Sequence, residues 1–97
     1  MRAYECLYFV RPDMEEEALK ALIARFNSVI TDANGEIEKV SEWGKRRLAY
    51  EVQDYREGYY VLVHFKSEPD VAKELERLFK ISDDVMRYLV TRMEEVS

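Results

Sequence analysis

Residues 36–66 read EIEKVSEWGKRRLAYEVQDYREGYYVLVHFK, and this stretch decides the fold. From Tyr59 to Lys66 the chain alternates: Tyr59, Val61, Val63 and Phe65 point one way, and Tyr60, Leu62, His64 and Lys66 the other. Both faces are partly apolar. Before it, Glu36 to Val52 predicts a second, longer and irregular strand. Ile37 and Val40 are out of strict period two, which predicts a bulge, and Gly44 is a second candidate for a bend. Leu48, Tyr50 and Val52 then return to period two, and residues 53–58 are expected to form the turn between the strands.

Outward from this pair the pattern changes period on both sides. On the N-terminal side, Leu19, Leu22, Ile23, Phe26, Val29 and Ile30 follow helical spacing. Asp13 is positioned as the cap with Glu16 three residues on, Glu15 to Glu17 complement the positive helix start, and Asn34-Gly35 supplies a left-handed stop. On the C-terminal side, Val71, Leu75, Leu78 and Phe79 form the stripe of a second helix, with a Ser67/Asp70 capping spacing and Pro69 in the first turn. The outermost segments alternate again. In the first strand, Tyr4, Cys6, Tyr8 and Val10 oppose Glu5, Leu7 and Phe9; in the last, Met86, Tyr88 and Val90 oppose Arg87, Leu89 and Thr91. The order β-α-β-β-α-β, with right-handed crossovers, predicts an α+β fold of the ferredoxin-like split βαβ type. It is a four-stranded antiparallel sheet with two helices on one face and the other face open.

At 97 residues a single domain is expected over 1–97, with a short acidic C-terminal tail from about residue 93. No apolar run approaches a bilayer span and the N-terminus leads straight into strand, so a cytoplasmic protein without a membrane partner is expected. One cysteine and one histidine exclude an intramolecular disulfide and an ordinary zinc site, and no metal or other cofactor is expected. The net charge of −5 at first opposes a nucleic-acid partner, but residues 13–34 and 67–84, the two helical segments, carry −3 each and leave +1 elsewhere. Arg2, Lys45, Arg46, Arg47, Lys66, Arg87 and Arg92 are expected on the open face and its edges, away from the acidic helices.

Lys45-Arg46-Arg47, bracketed by Trp43 and Tyr50, combines phosphate-binding cations with stacking surfaces. An edge strand protected from aggregation by its cations would look the same. Arg87 and Arg92 fall on opposite faces of an ideal last strand. The sheet signature of base-stacking RNA-recognition modules is matched only at Gly58 and Tyr59: Glu57 replaces the base, and Val61 and His64 replace aromatics. His64 lacks a partner at triad spacing and Cys6 is expected to be a small buried hydrophobe, so no catalytic residue is expected. A ligand-binding regulatory domain of this architecture would need a shaping loop beyond residues 53–58, and a small acyl-phosphate hydrolase would need a Gly-rich anion loop where Arg11-Pro12-Asp13-Met14 stands.

Taken together, Arg2-x-Tyr4-Glu5, Arg11-Pro12, Glu42 to Tyr50, Gly58-Tyr59-Tyr60, Asp84-x-x-Arg87-Tyr88 and Val90-x-Arg92 resemble the bacterial small-subunit ribosomal protein S6 family over nearly the whole chain. The segment 42–50 is the most specific. The resemblance implies a non-enzymatic, cytoplasmic component of the small ribosomal subunit. Such a component takes no small-molecule substrate and binds the central domain of the small-subunit ribosomal RNA together with ribosomal protein S18. It also implies Arg2, Arg87 and Arg92 as RNA-facing cations. Lys45, Arg46 and Arg47 are expected on RNA and Trp43, Leu48 and Tyr50 on the partner protein, although the resemblance alone does not divide this segment and some of its cations can serve the partner.

Overall fold

The computed structural model describes residues 1–93; the expected acidic tail falls almost wholly outside them. The elements are β1 (Arg2–Val10), α1 (Glu16–Asp32), β2 (Glu36–Val52), β3 (Tyr55–Ser67), α2 (Pro69–Ile81) and β4 (Val85–Arg92). The strands form one antiparallel sheet in the order β2-β3-β1-β4, as the split βαβ pattern predicts. Register fixes the faces. Tyr4 lies opposite Phe65, Cys6 opposite Val63 and Tyr8 opposite Val61, so the buried sets of β1 and β3 share one face. Leu19, Leu22, Ile23, Phe26 and Ile30 of α1 and Val71, Ala72, Leu75 and Phe79 of α2 pack with them in one core. Cys6 is fully buried there, and burial pushes its thiol up, leaving a small inert hydrophobe.

The irregularity expected in β2 is three separate register breaks. Glu38 is an extra residue between the pairs Ile37–Phe65 and Lys39–His64, which puts both Ile37 and Val40 on the helix side. Trp43 is a second, between Glu42–Val61 and Gly44–Tyr60, with Gly44 at φ 77° in the left-handed region that glycine adopts without strain. Third, and against the expected return to period two at Leu48, Tyr50 and Val52, the four residues Leu48 to Glu51 oppose the single residue Arg56, between Arg47–Glu57 and Val52–Tyr55. The turn is shorter than expected. Gln53 and Asp54 alone make it, both at positive φ (52° and 68°), and Tyr55 to Gly58 belong to β3.

The helix ends also depart from their expected chemistry at one side. Helix α1 starts after Glu15, which makes no side-chain cap bond, and the expected cap, Asp13, gives its carboxylate to Arg11 and Tyr55 instead. Likewise Glu68, not Ser67, precedes α2; the buried Ser67 hydroxyl donates to the Glu68 carbonyl, and Pro69 opens the helix. At the C-terminus of α1 the stop is as expected. Asn34 takes φ 64°, its N–H donates to Thr31 O (3.1 Å), and the Gly35 N–H donates to Ile30 O (2.8 Å), the paired bonds of a Schellman cap. Gly35 is required for closeness rather than for φ: a Cβ there would lie 2.7 Å from Ile30 Cγ2, 2.8 Å from Ile30 O and 3.0 Å from Lys66 O. Two of those atoms are backbone. Gly35→Ala is therefore expected to cost ~1–3 kcal/mol, measured as a fall in the urea midpoint with unchanged slope.

Candidate nucleic-acid and partner interface

The face of the sheet away from the helices carries Leu7 and Phe9 of β1, Tyr60, Leu62 and His64 of β3, and Arg87 and Leu89 of β4. An aromatic row crosses it. Phe9 stacks on Tyr60 at 4.0 Å and 10°, and Trp43 continues the row at 6.2 Å and 25° from Tyr60, at the edge strand. His64, which lacks a partner at triad spacing in the sequence, is half-buried, with Nε2 2.9 Å from Glu5 Oε2 directly across the strand pair. The pair covers the apolar face with two polar groups that satisfy each other. Leu89 is 62% exposed and Trp43 46%, so the apolar strip is open to a partner.

Strand β1 ends at Val10, opposite Tyr59. Beyond that pair β2 and β3 continue as a two-stranded ribbon, and on it lies the basic run. Arg46 lies opposite Gly58 on the open side, since a Cβ on Gly58 would sit 3.4 Å from Phe9 Cβ and 3.6 Å from Leu48 Cδ2. Lys45, opposite Tyr59, and Arg47, opposite Glu57, take the helix side. All three are exposed, and among the described residues none forms an ion pair. Tyr50 leans over β4, where the Arg87 guanidinium donates to its hydroxyl and lies 5.3 Å from its ring centroid.

The expected site residues therefore do not form one surface. Trp43, Arg46, Leu48, Tyr50 and Arg87 gather around the open face at the ribbon. Lys45 and Arg47 flank them on the other side. Arg2, opposite Ser67, and Arg92, opposite Tyr4, lie at the far end of the sheet and on the helix-facing side. Arg92 is level with Tyr4 and Arg87 with Phe9, five residues along β1 or ~17 Å, and the two face opposite ways as expected.

Four residues with no expected site role join the ribbon to the rest. Arg11 Nε donates to Asp84 Oδ1 at 2.7 Å and its Nη1 to Asp13 Oδ1 at 2.9 Å, while the Tyr55 hydroxyl donates to Asp13 Oδ2 at 3.1 Å. The bonds to Asp84 and then Asp13 raise Arg11 further above its usual range. In return the Arg11 guanidinium holds the Asp13 carboxyl below the usual carboxylate range, and the bond to Asp13 raises Tyr55. The segment Arg11-Pro12-Asp13-Met14, where a hydrolase would need an anion loop, thus has its guanidinium committed to two carboxylates.

The fold agrees with what known proteins show. Residues 3–92 match the model of the family described as ribosomal protein S6. The chain belongs to the ribosomal protein S6 family. It is 59% identical over 95 residues to the small ribosomal subunit protein bS6 of Moorella thermoacetica (98% of this chain, 97% of the relative) and 56% identical to that of Exiguobacterium sibiricum (98% and 100%). The crystal structure of 30S ribosomal protein S6 from Thermotoga maritima superposes with a TM-score of 0.89 at 29% identity, covering 95% of this chain and 87% of that one. Membership of the S6 family makes this a small-subunit ribosomal protein rather than an enzyme, and its place is the ribosome in the cytoplasm.

Proposed function

We propose that this chain acts as one ferredoxin-like domain that binds the central domain of the small-subunit ribosomal RNA jointly with ribosomal protein S18. The observation that carries this reading is a juxtaposition: the row of half-buried Phe9 and Tyr60 and exposed Trp43 runs directly into Lys45-Arg46-Arg47, which form no ion pair among the described residues. Apolar and aromatic surface with little charge at its centre suits a protein partner, with Trp43, Leu48 and Tyr50 as contacts. Exposed cations suit phosphates, which fix position without reading sequence, and the assigned set is Lys45, Arg46, Arg47 and Arg87 at the ribbon and Arg2 and Arg92 at the far end. A chain of net charge −5 with so few contacts binds RNA only modestly by itself. A partner seated on the adjoining face supplies the rest.

Filter binding to a central-domain RNA fragment tests this. Adding S18 is expected to tighten the complex by at least about tenfold, in the range of ordinary coupling between neighbouring sites. No gain from S18 sinks the proposal.

A further inference from the structure

Among the described residues the ribbon has no third strand beyond the pair Val10–Tyr59, and an isolated two-stranded ribbon is only marginally ordered in water. Its direction relative to the open face must come from side chains. Two supply it. Tyr50, from β2, meets Arg87 but is 60% exposed and touches a residue assigned above to RNA, so that contact changes when ligand binds. Tyr55, from β3, is half-buried and bonded to Asp13, neither of which belongs to the assigned binding surface. We infer that Asp13 and Tyr55 are positioning residues, a clasp that aims the basic ribbon for its RNA and protein ligands; this deepens, and rests on, the function proposed above.

Three features support the clasp. Asp13 is itself immobilised: its second oxygen accepts from Arg11, whose Nε and backbone N–H both reach Asp84, at 2.7 and 2.9 Å, so the ribbon is tied through one carboxylate to the end of β1 and the start of β4. The carboxylate serves the clasp instead of capping α1, which begins without a side-chain cap. And the clasp is insensitive to pH near neutrality. Asp13 is held ionised below its ordinary range, so its contribution is lost only as pH falls through that lowered value. Tyr55 is raised, so its donor is lost only above the ordinary tyrosine range. Exposed bonds of this kind add little to global stability. Their effect lies in preorganisation, which acts on affinity.

The test uses Tyr55→Phe, Asp13→Ala, Asp13→Asn and the double variant Tyr55→Phe/Asp13→Ala in the full chain, read by amide hydrogen exchange and by filter binding with the same RNA and S18. Tyr55→Phe and Asp13→Ala are each expected to speed exchange across residues 47–57 by about three- to tenfold, while the amides of Cys6 and Val63 keep their protection and show the fold intact. RNA–S18 affinity is expected to fall by about the same factor. The double variant should be no worse than the single ones, and Asp13→Asn, which keeps an acceptor for Tyr55, should retain most of the affinity. The sign of Asp13→Ala is diagnostic. Removing a negative charge from an RNA-binding protein tightens binding on electrostatics alone, whereas loss of the clasp weakens it. Tighter or unchanged binding by Asp13→Ala, with the wild-type chain still showing its S18 gain, overturns the clasp. Absence of that gain in the wild-type chain overturns the function proposed above and the ligand role of the clasp with it.

Discussion

Phe79→Ala is expected to remove ~3–5 kcal/mol of stability, the largest single-residue loss we foresee outside the interface. Phe79 comes from the last turns of α2 and is 1% exposed. Its ring meets Tyr8 of β1 at 4.8 Å, Phe26 of α1 at 4.7 Å and 67°, and Tyr88 of β4 at 5.5 Å. One side chain thus joins both helices to both strands of the sheet's β1–β4 half. Truncation removes apolar burial, three aromatic contacts and the filling of a space bounded by regular elements that cannot collapse into it. A domain of this size has ~5–15 kcal/mol in total, so the variant should be largely unfolded at temperatures where the parent is native. Ile81, two residues on in the same helix but 62% exposed, is the control: Ile81→Ala should stay within ~0.5 kcal/mol. Urea unfolding that finds less than about 1.5 kcal/mol lost by Phe79→Ala would mean that the three-way junction is not where the core is held.

What was legible in the sequence follows from the range of the interactions that decide each feature. The faces of β1 and β3 are set by period two, and Asn34 by a cap made within five residues, so both were readable from neighbours alone. The phase break between Ile37 and Val40 exposed the first bulge of β2 for the same reason. Residues 53–58 misled because Gly58 looks like turn chemistry; it is a buried strand residue that leaves room for Phe9 and Leu48. Gln53, an uncommon choice for positive φ, gave no turn signal. Asp13 shows the same limit from the other side. Its spacing to Glu16 is a sound capping signal, but the residues that take its carboxylate include Tyr55, 42 positions away, which no local pattern brings near. Glu5 and His64 likewise become partners only once the register of β1 on β3 is known.

The site was legible as a cluster and illegible as a surface, and the reason carries the second large effect. Lys45, Arg46 and Arg47 are adjacent in sequence, so a strand must send Arg46 one way and its neighbours the other; the bulge at Trp43 decides which way. Replacing all three by alanine is expected to weaken RNA–S18 binding by about two orders of magnitude near 0.1 M salt and to flatten the dependence of log affinity on log salt by ~2–3, the loss of up to three phosphate contacts. Stability should be almost unchanged, since the three are exposed and, among the described residues, form no ion pair. The single variants should then separate by face. Arg46 sits with Trp43 and Leu48 beside the aromatic row, so Arg46→Ala should mainly reduce the gain from S18. Lys45→Ala and Arg47→Ala, on the other side of the ribbon, should each lower the salt slope measured on RNA alone by ~0.7–0.9. Equal effects of all three on both measurements would mean that the ribbon rotates on binding and the faces seen in the free chain do not persist. In that case the Asp13–Tyr55 clasp would also have to open, and the affinity of Tyr55→Phe would match that of the parent.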